Sequence, residues 1–435
     1  MKRITVATAL AMMATVLVGC GGDSSSNDSG GETRQVLVDY RHDETETSMF
    51  DYYPRKVTVR PGDTVEFEQA WTGEAHSVTF GTIVDPVLTP IISLLDKIKS
   101  TGEFPAGGEP EEFQAFDLPF VFEGTEDSSA EDVSMSQQAA QPCFVAEADS
   151  WPGDRETPCP KRAQPKFTGS DAVYSSGVIP YEGVGGNTFR VPVAADAKPG
   201  TYGYYCNVHG PLQYGQVEIV PKGTDIPSSR EVAETARKES KIRTEVMVAN
   251  YKAAKAGKGV LAGETGEEEI ATKGKNLIGV PSPFFYKNNF VHGIINEFVP
   301  KQITAKTNEK VTWTFAGKHT ISFNVPKYFP VFTIANDGTV AFNPKALVPA
   351  GWPGPPKPPE GGGEEPEGGG EGEEGPPPER EPAKVDAGPW DGKGFRSSGL
   401  DFGDGDEFSV TFTKAGTYPF ACLVHPSMVG TIVVK

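Results

Sequence analysis

Runs of lysine or arginine are missing from this chain, and acidic residues outnumber basic ones 59 to 40 over 435 positions, a formal net charge of −19. That balance argues against nucleic acid or an anionic membrane face as a partner. Long apolar stretches are missing too: the run from Ile4 to Val18 is too short to cross a bilayer comfortably. Histidine is scarce, with six residues and no His-x-His pair, and cysteine is limited to five. Three of the seven methionines sit in the N-terminal segment, so no methionine-rich run exists.

What is present begins with a processing signal. Lys2 and Arg3 precede the apolar run, which leads into Leu17-Val-Gly-Cys20. This tetrapeptide resembles a bacterial lipoprotein box, so residues 1–19 are expected to be a removed signal peptide and Cys20 the lipidated first residue of the mature protein. Residues 20–33, rich in Gly, Ser and Asp, are expected to form a flexible tether to the outer face of the bacterial cell membrane. Export places the other cysteines in an oxidising space. Cys143 and Cys159 flank a Pro/Trp/Asp-rich loop with no histidine nearby, and a disulfide between them is expected.

The chain is organised around its C-terminal stretch, Tyr418-Pro-Phe-Ala-Cys422-Leu-Val-His425-Pro-Ser-Met428-Val-Gly430. A cysteine, a histidine three residues on and a methionine three further share one loop between strand-like segments. Thiolate, imidazole and thioether from one loop are the ligand set of a blue-copper centre, which needs one more histidine from elsewhere. Earlier, Tyr174-Ser-Ser-Gly177 and Pro199-Gly-Thr-Tyr202-Gly-Tyr-Tyr-Cys206-Asn-Val-His209 parallel Arg396-Ser-Ser-Gly399 and Ala415-Gly-Thr-Tyr418-Pro-Phe-Ala-Cys422-Leu-Val-His425. A repeat of this length, carrying the same residue types at matching places, means two copies of one domain. Each copy also has a histidine in a strand-like setting well before its cysteine, in Glu74-Ala-His76-Ser-Val-Thr-Phe80 and Gly317-Lys-His319-Thr-Ile-Ser-Phe323.

The C-terminal fragment resembles the copper loop of the cupredoxins, plastocyanin and amicyanin among them, with the short amicyanin-type spacing. The resemblance implies one type 1 copper held by His319, Cys422, His425 and Met428, and a second held by His76, Cys206 and His209. The first copy lacks the methionine. Counting back from Gly215, as Met428 precedes Gly430, puts Gln213 in the axial place, whereas counting forward from the histidine puts Leu212 there. An amide oxygen lowers the potential and a leucine raises it. Both assignments stay open at this point.

Short alternating segments punctuated by Gly and Pro predict an all-β chain: two tandem Greek-key β-sandwiches with insertions and a helical linker. The first domain is expected over residues 34–221 and the second over 276–435. Val36, Val38 and Tyr40 alternate. Lys56 to Arg60 and Thr64 to Phe67 flank a Pro61-Gly62-Asp63 turn and read as a hairpin, as do the segments around Thr307-Asn308-Glu309. Insertions are expected at about 85–167, with a helical segment from Val87 to Ser100, and at about 325–390. Within the latter, Pro355 to Pro382 is almost wholly Pro, Gly and Glu and is expected to be disordered. In the linker, residues 222–275, Ser228 and Ser229 offer an N-cap for one helix ending near Gly257. Its thin apolar stripe is Val232, Ala236, Ile242, Val246 and Ala249, which should pack along a domain.

Two blue sites use four of the six histidines and leave His42 and His292, both before the core strands and neither paired. A catalytic copper oxidoreductase of the nitrite reductase or laccase type needs further histidines, commonly as His-x-His pairs. A binuclear centre would need two cysteines in one loop. Copper storage would call for runs of Met or Cys. The expectation is therefore a membrane-anchored electron carrier with redox proteins as partners, not an enzyme.

Overall fold

The computed structural model describes residues 31–70, 72–82, 84–103, 165–171, 174–176, 179, 187–327, 329, 332–334, 340–343, 346, 348–352, 382–400 and 402–435. Cys20, Cys143, Cys159 and the tract from Pro355 up to Glu381 lie outside the described residues, and Pro382 is the first described residue after it.

Alternation of apolar and polar residues builds two sandwiches of the same plan. In the first, one sheet has the order Tyr52–Tyr53, Thr33–Val38, Thr64–Gln69, Thr188–Pro192. It faces Lys56–Val59, Gly210–Ile219, Gly200–Cys206, Thr79–Phe80, Tyr174–Ser175. In the second, the matching sheets are Phe298–Val299, Asn276–Ile278, Lys310–Phe315, Glu407–Phe412, Lys384–Trp390, and Gln302–Ala305, Val429–Val434, Gly416–Ala421, Ser322–Phe323, Arg396–Ser397. Every second side chain points inward, as strand geometry requires. Val36, Val38, Val65 and Phe67 meet Val57, Val59, Val217 and Ile219 in one core, and Val311, Trp313, Phe315 and Val410 meet Phe420, Ile432 and Val434 in the other.

The segments read as hairpins are not hairpins. Lys56–Val59 pairs in parallel with the strand ending at Ile219, whereas Thr64–Gln69 pairs in parallel with Thr33–Val38, in the opposite sheet. The turn between them is a corner of the sandwich, held by Asp63. Its carboxylate accepts the N–H groups of Arg60 and Glu32, each at 2.9 Å, and pairs with the Arg34 guanidinium at 2.9 Å. In the second copy Gln302–Ala305 and Lys310–Phe315 diverge likewise. The second insertion also ends earlier than residue 390, because Lys384–Trp390 is an edge strand paired in parallel with Glu407–Phe412. Its Gly388-Pro389 pair hid the strand, and the register shifts there.

Helix α1, Asp85–Thr101, opens on a proline and ends on Gly102 with φ 74°. It buries Leu88, Ile91, Ile92, Leu95 and Ile98 against Tyr205 and Tyr214 of the first sandwich. Helix α2, Ser229–Lys255, starts with a capping box between Ser228 and Glu231. Val232, Ala236 and Val246 are buried as expected, but Ile242 is 41% exposed and Ala249 is exposed. The buried face turns instead through Arg243, Met247, Tyr251 and Ala254. The reason is that α2 is wedged between the copies, touching Met49 and Tyr53 of the first and Leu277 and Val299 of the second.

The copies join along a short antiparallel ladder, Thr47–Met49 against Gly293–Ile295, with Ser48 opposite Ile294. Tyr53 and Val299 hold the same place in their sheets, and Met49 and Ile295 precede them by four residues each. Equivalent segments pairing antiparallel define a local two-fold axis through the ladder.

Candidate metal centres

Strand pairing brings each early histidine to its late loop. His76 leads into Thr79–Phe80, which pairs with Gly200–Cys206, and His319 leads into Ser322–Phe323, which pairs with Gly416–Ala421. Two clusters result, His76/Cys206/His209 and His319/Cys422/His425, each with its ligand atoms within 4.8 Å of one another. In the first, Cys206 Sγ lies 3.7 Å from His209 Nδ1. In the second, Cys422 Sγ lies 3.4 Å from His425 Nδ1, which is 3.0 Å from His319 Nδ1.

Each sulfur also accepts a backbone N–H, from Ser77 at 3.3 Å and from Thr320 at 3.4 Å. Burial disfavours both thiolates, but the facing imidazoles outweigh it and hold both thiols well below their ordinary pKa. Two imidazole nitrogens and a cysteine sulfur converging in a buried or nearly buried place fit copper.

Of the two candidates for the fourth position, Gln213 is the one that faces the first cluster. Gln213 is fully buried, with Oε1 3.0 Å from His209 Nδ1 and 3.1 Å from His76 Nδ1. Leu212 points the other way, onto the apolar face of α1. In the second copy Met428 is buried, its N–H donates to the His425 carbonyl and its carbonyl accepts the Cys422 N–H, closing the loop tightly.

The surroundings differ between copies. Behind His76, Nε2 lies 3.3 Å from Asp39 Oδ2, a fully buried carboxylate that also accepts from Thr72 Oγ1 at 2.6 Å. Burial works to lower the His76 pKa, but Asp39 and Cys206 raise it to about 10. The second copy has Gly279 in the place of Asp39. Both follow the last residue of their strand and both are left-handed, with φ 68° and 77°. A Cβ on Gly279 would fall 2.7 Å from His319 Nε2, which has no hydrogen-bond partner among the described residues. Burial there lowers the His319 pKa.

The outer edges of His209 and His425 both face Glu74, at 3.6 Å and 2.9 Å from their Nε2 atoms. Burial raises the Glu74 pKa, but the two imidazoles outweigh that and hold it well below the usual carboxylate range. Gly73 permits the approach: a Cβ there would fall 2.2 Å from the Val424 carbonyl oxygen.

Phe50 stacks on His209 with ring centroids 4.2 Å apart, and its carbonyl accepts Nδ1–H of His292 at 3.0 Å. Burial pushes the His292 pKa down to about 3. His42 Nδ1 accepts the Glu44 N–H at 3.0 Å. Neither histidine joins a cluster among the described residues. Sequence reasoning missed Asp39, Phe50 and the role of Glu74. The available signal was the mismatch of Glu74 with Gly317, each two residues before its histidine.

Residues 383–435 match the family model described as copper binding proteins, plastocyanin/azurin family. No curated protein matches the chain. Among solved structures, the Cu(I) form of a single-residue mutant of amicyanin is 17% identical, covering 32% of this chain and 73% of that one, with a TM-score of 0.16. A mutant plastocyanin of fern is 17% identical, covering 43% of this chain and 99% of that one, with a TM-score of 0.17. The family match at residues 383–435 makes that segment of the second copy similar to the cupredoxins, and the first copy shares its sandwich plan.

Proposed function

We propose that this cupredoxin-like chain is a two-centre electron carrier on a bacterial lipoprotein, anchored outside the cytoplasm through Cys20. One type 1 copper is held by His76, Cys206, His209 and Gln213, and the other by His319, Cys422, His425 and Met428. The observation that carries the reading is the pair of Nδ1, Sγ, Nδ1 clusters, the second buried and the first buried but for a partly exposed His209, each with a backbone N–H on its sulfur. Copper, when bound, supplies one-electron redox chemistry. The chain holds the imidazoles in loops flanked by paired strands and lowers the pKa of each cysteine thiol.

The histidine inventory favours a carrier over a copper oxidoreductase. His292 is neutral and committed to the Phe50 carbonyl, and His42 to the Glu44 N–H. Redox proteins are the partners this implies, and the net charge of −19 disfavours nucleic acid.

Paired variants test the assignment. Cys206→Ser and Cys422→Ser should each remove one intense thiolate-to-copper absorption and one EPR signal while leaving the other. A variant that leaves the spectrum unchanged contradicts that site. Cys20→Ser should release the protein from membranes or leave the signal uncleaved, and a mature N-terminus downstream of Cys20 contradicts the anchor.

A further inference from the structure

One carboxylate serves the outer edges of both clusters. His425 Nε2 lies 2.9 Å from Glu74 Oε1, and His209 Nε2 lies 3.6 Å from Glu74 Oε2. Both rings turn Nδ1 towards their cysteine, which leaves Nε2–H on each as the donor aimed at Glu74. The carboxylate is only 16% exposed and comes from the first copy alone. At the equivalent position two residues before His319 stands Gly317, which has no side chain to offer. Across a two-fold arrangement a second glutamate would face the first as a like charge in a partly buried space, and the glycine avoids that repulsion.

We propose that Glu74 couples the two centres, and that the path His209, Glu74, His425 carries an electron from one to the other within a single chain. The proposal rests on the two-copper reading. One copper goes from Cu(I) to Cu(II) as the other goes from Cu(II) to Cu(I), so the step is balanced within the chain and Glu74 neither gains nor loses a proton. The physical grounds are continuity and shielding. Each ring faces its cluster through Nδ1 and the shared carboxylate through Nε2, His425 by a charge-assisted hydrogen bond at 2.9 Å, the shorter and stronger class, and His209 by a looser ion-pair contact at 3.6 Å. Gly73 packed on the Val424 carbonyl keeps the outer edge of His425 fully covered. Glu74 is thus a positioning residue, holding two imidazoles edge to edge across the junction of the copies.

The test is electron equilibration in the copper-loaded full-length protein after a pulse of less than one electron per chain. In the wild type, equilibration should be first order and independent of protein concentration. Glu74→Ala should slow it by roughly tenfold or more, with both thiolate-to-copper absorptions retained. Glu74→Gln can accept only one of the two Nε2–H groups and should fall between. Nitrogen-15 histidine NMR of the Cu(I) protein supplies a readout apart from electron transfer. The Nε2–H protons of His209 and His425 should exchange slowly in the wild type and rapidly in Glu74→Ala. Should Glu74→Ala lose a copper, Glu74→Gln decides by the same rate. Unchanged equilibration in a variant that holds both coppers overturns the bridge, as does a wild-type rate proportional to protein concentration. A wild-type chain that binds fewer than two coppers overturns the two-centre reading as well, and the metal count tells that failure from failure of the bridge alone.

Discussion

Asp39 against Gly279 is the sharpest single-residue difference between two clusters that otherwise match. A buried carboxylate on the outer nitrogen of His76 makes that imidazole a stronger donor and favours Cu(II), and His319 has no such support. Gln213 in place of Met428 acts in the same direction, since a hard amide oxygen favours Cu(II) and a thioether Cu(I). Asp39→Asn should therefore raise the potential of the first centre, by about 59 mV for each tenfold change in its Cu(II) to Cu(I) affinity ratio. Gln213→Met should raise it too and bring the two centres closer. Redox titration followed at the thiolate band measures both, and a first-centre potential unmoved by Asp39→Asn contradicts the role given to that carboxylate. At this scale the sequence displayed cysteines and histidines of one type at one spacing, so the clusters were legible. The axial choice was not, because Leu212 and Gln213 are adjacent and only strand alternation in Gly210–Ile219 decides which one faces the cluster. Asp39 was illegible for a related reason, since it reaches His76 only through the register of Thr33–Val38 with Thr64–Gln69.

Among the elements, α2 has a structural task that a linker does not require. Arg243 on this helix is 3% exposed, pairs with the buried Asp51 and lies over the Tyr53 ring with its Cζ 5.3 Å from the centroid. Asp51 is also held by Arg55, at 2.7 Å and 3.1 Å. Arg243→Ala takes one partner from a buried carboxylate that keeps the other, so the cost should be about 3 kcal/mol, the low end for breaking a buried pair. Urea unfolding measures it, with the copper spectra expected to persist, and a cost near zero would mean that α2 is not anchored there. The helix was legible from its serine cap. Its buried face was not, because an apolar stripe drawn from Ile242 and Ala249 assumes one neighbour, while α2 has two that rotate the contact towards Arg243 and Met247. The sandwich corners were misread on similar grounds. A Pro-Gly-Asp turn between alternating segments looks the same whether the second strand returns beside the first or crosses to the other sheet, and Asp63 settles the question only through contacts distant in sequence.

Taken whole, the molecule sets two equivalent sandwiches about a local two-fold axis, with an unequal pair of clusters meeting near it. The repeat in the sequence announced the two copies but not their face-to-face association, which depends on the ladder of Thr47–Met49 with Gly293–Ile295 and on Gly73 against the Val424 carbonyl. The central claim is that one chain carries two type 1 coppers of different potential, the lower in the first copy. Metal analysis of the soluble protein combined with a redox titration, followed by optical and EPR spectra, tests it most directly. The account predicts two coppers per chain, both with intense thiolate-to-copper absorption, titrating in two steps of which Cys206→Ser abolishes the lower. A single copper per chain, or a spectrum without the thiolate band, would contradict it.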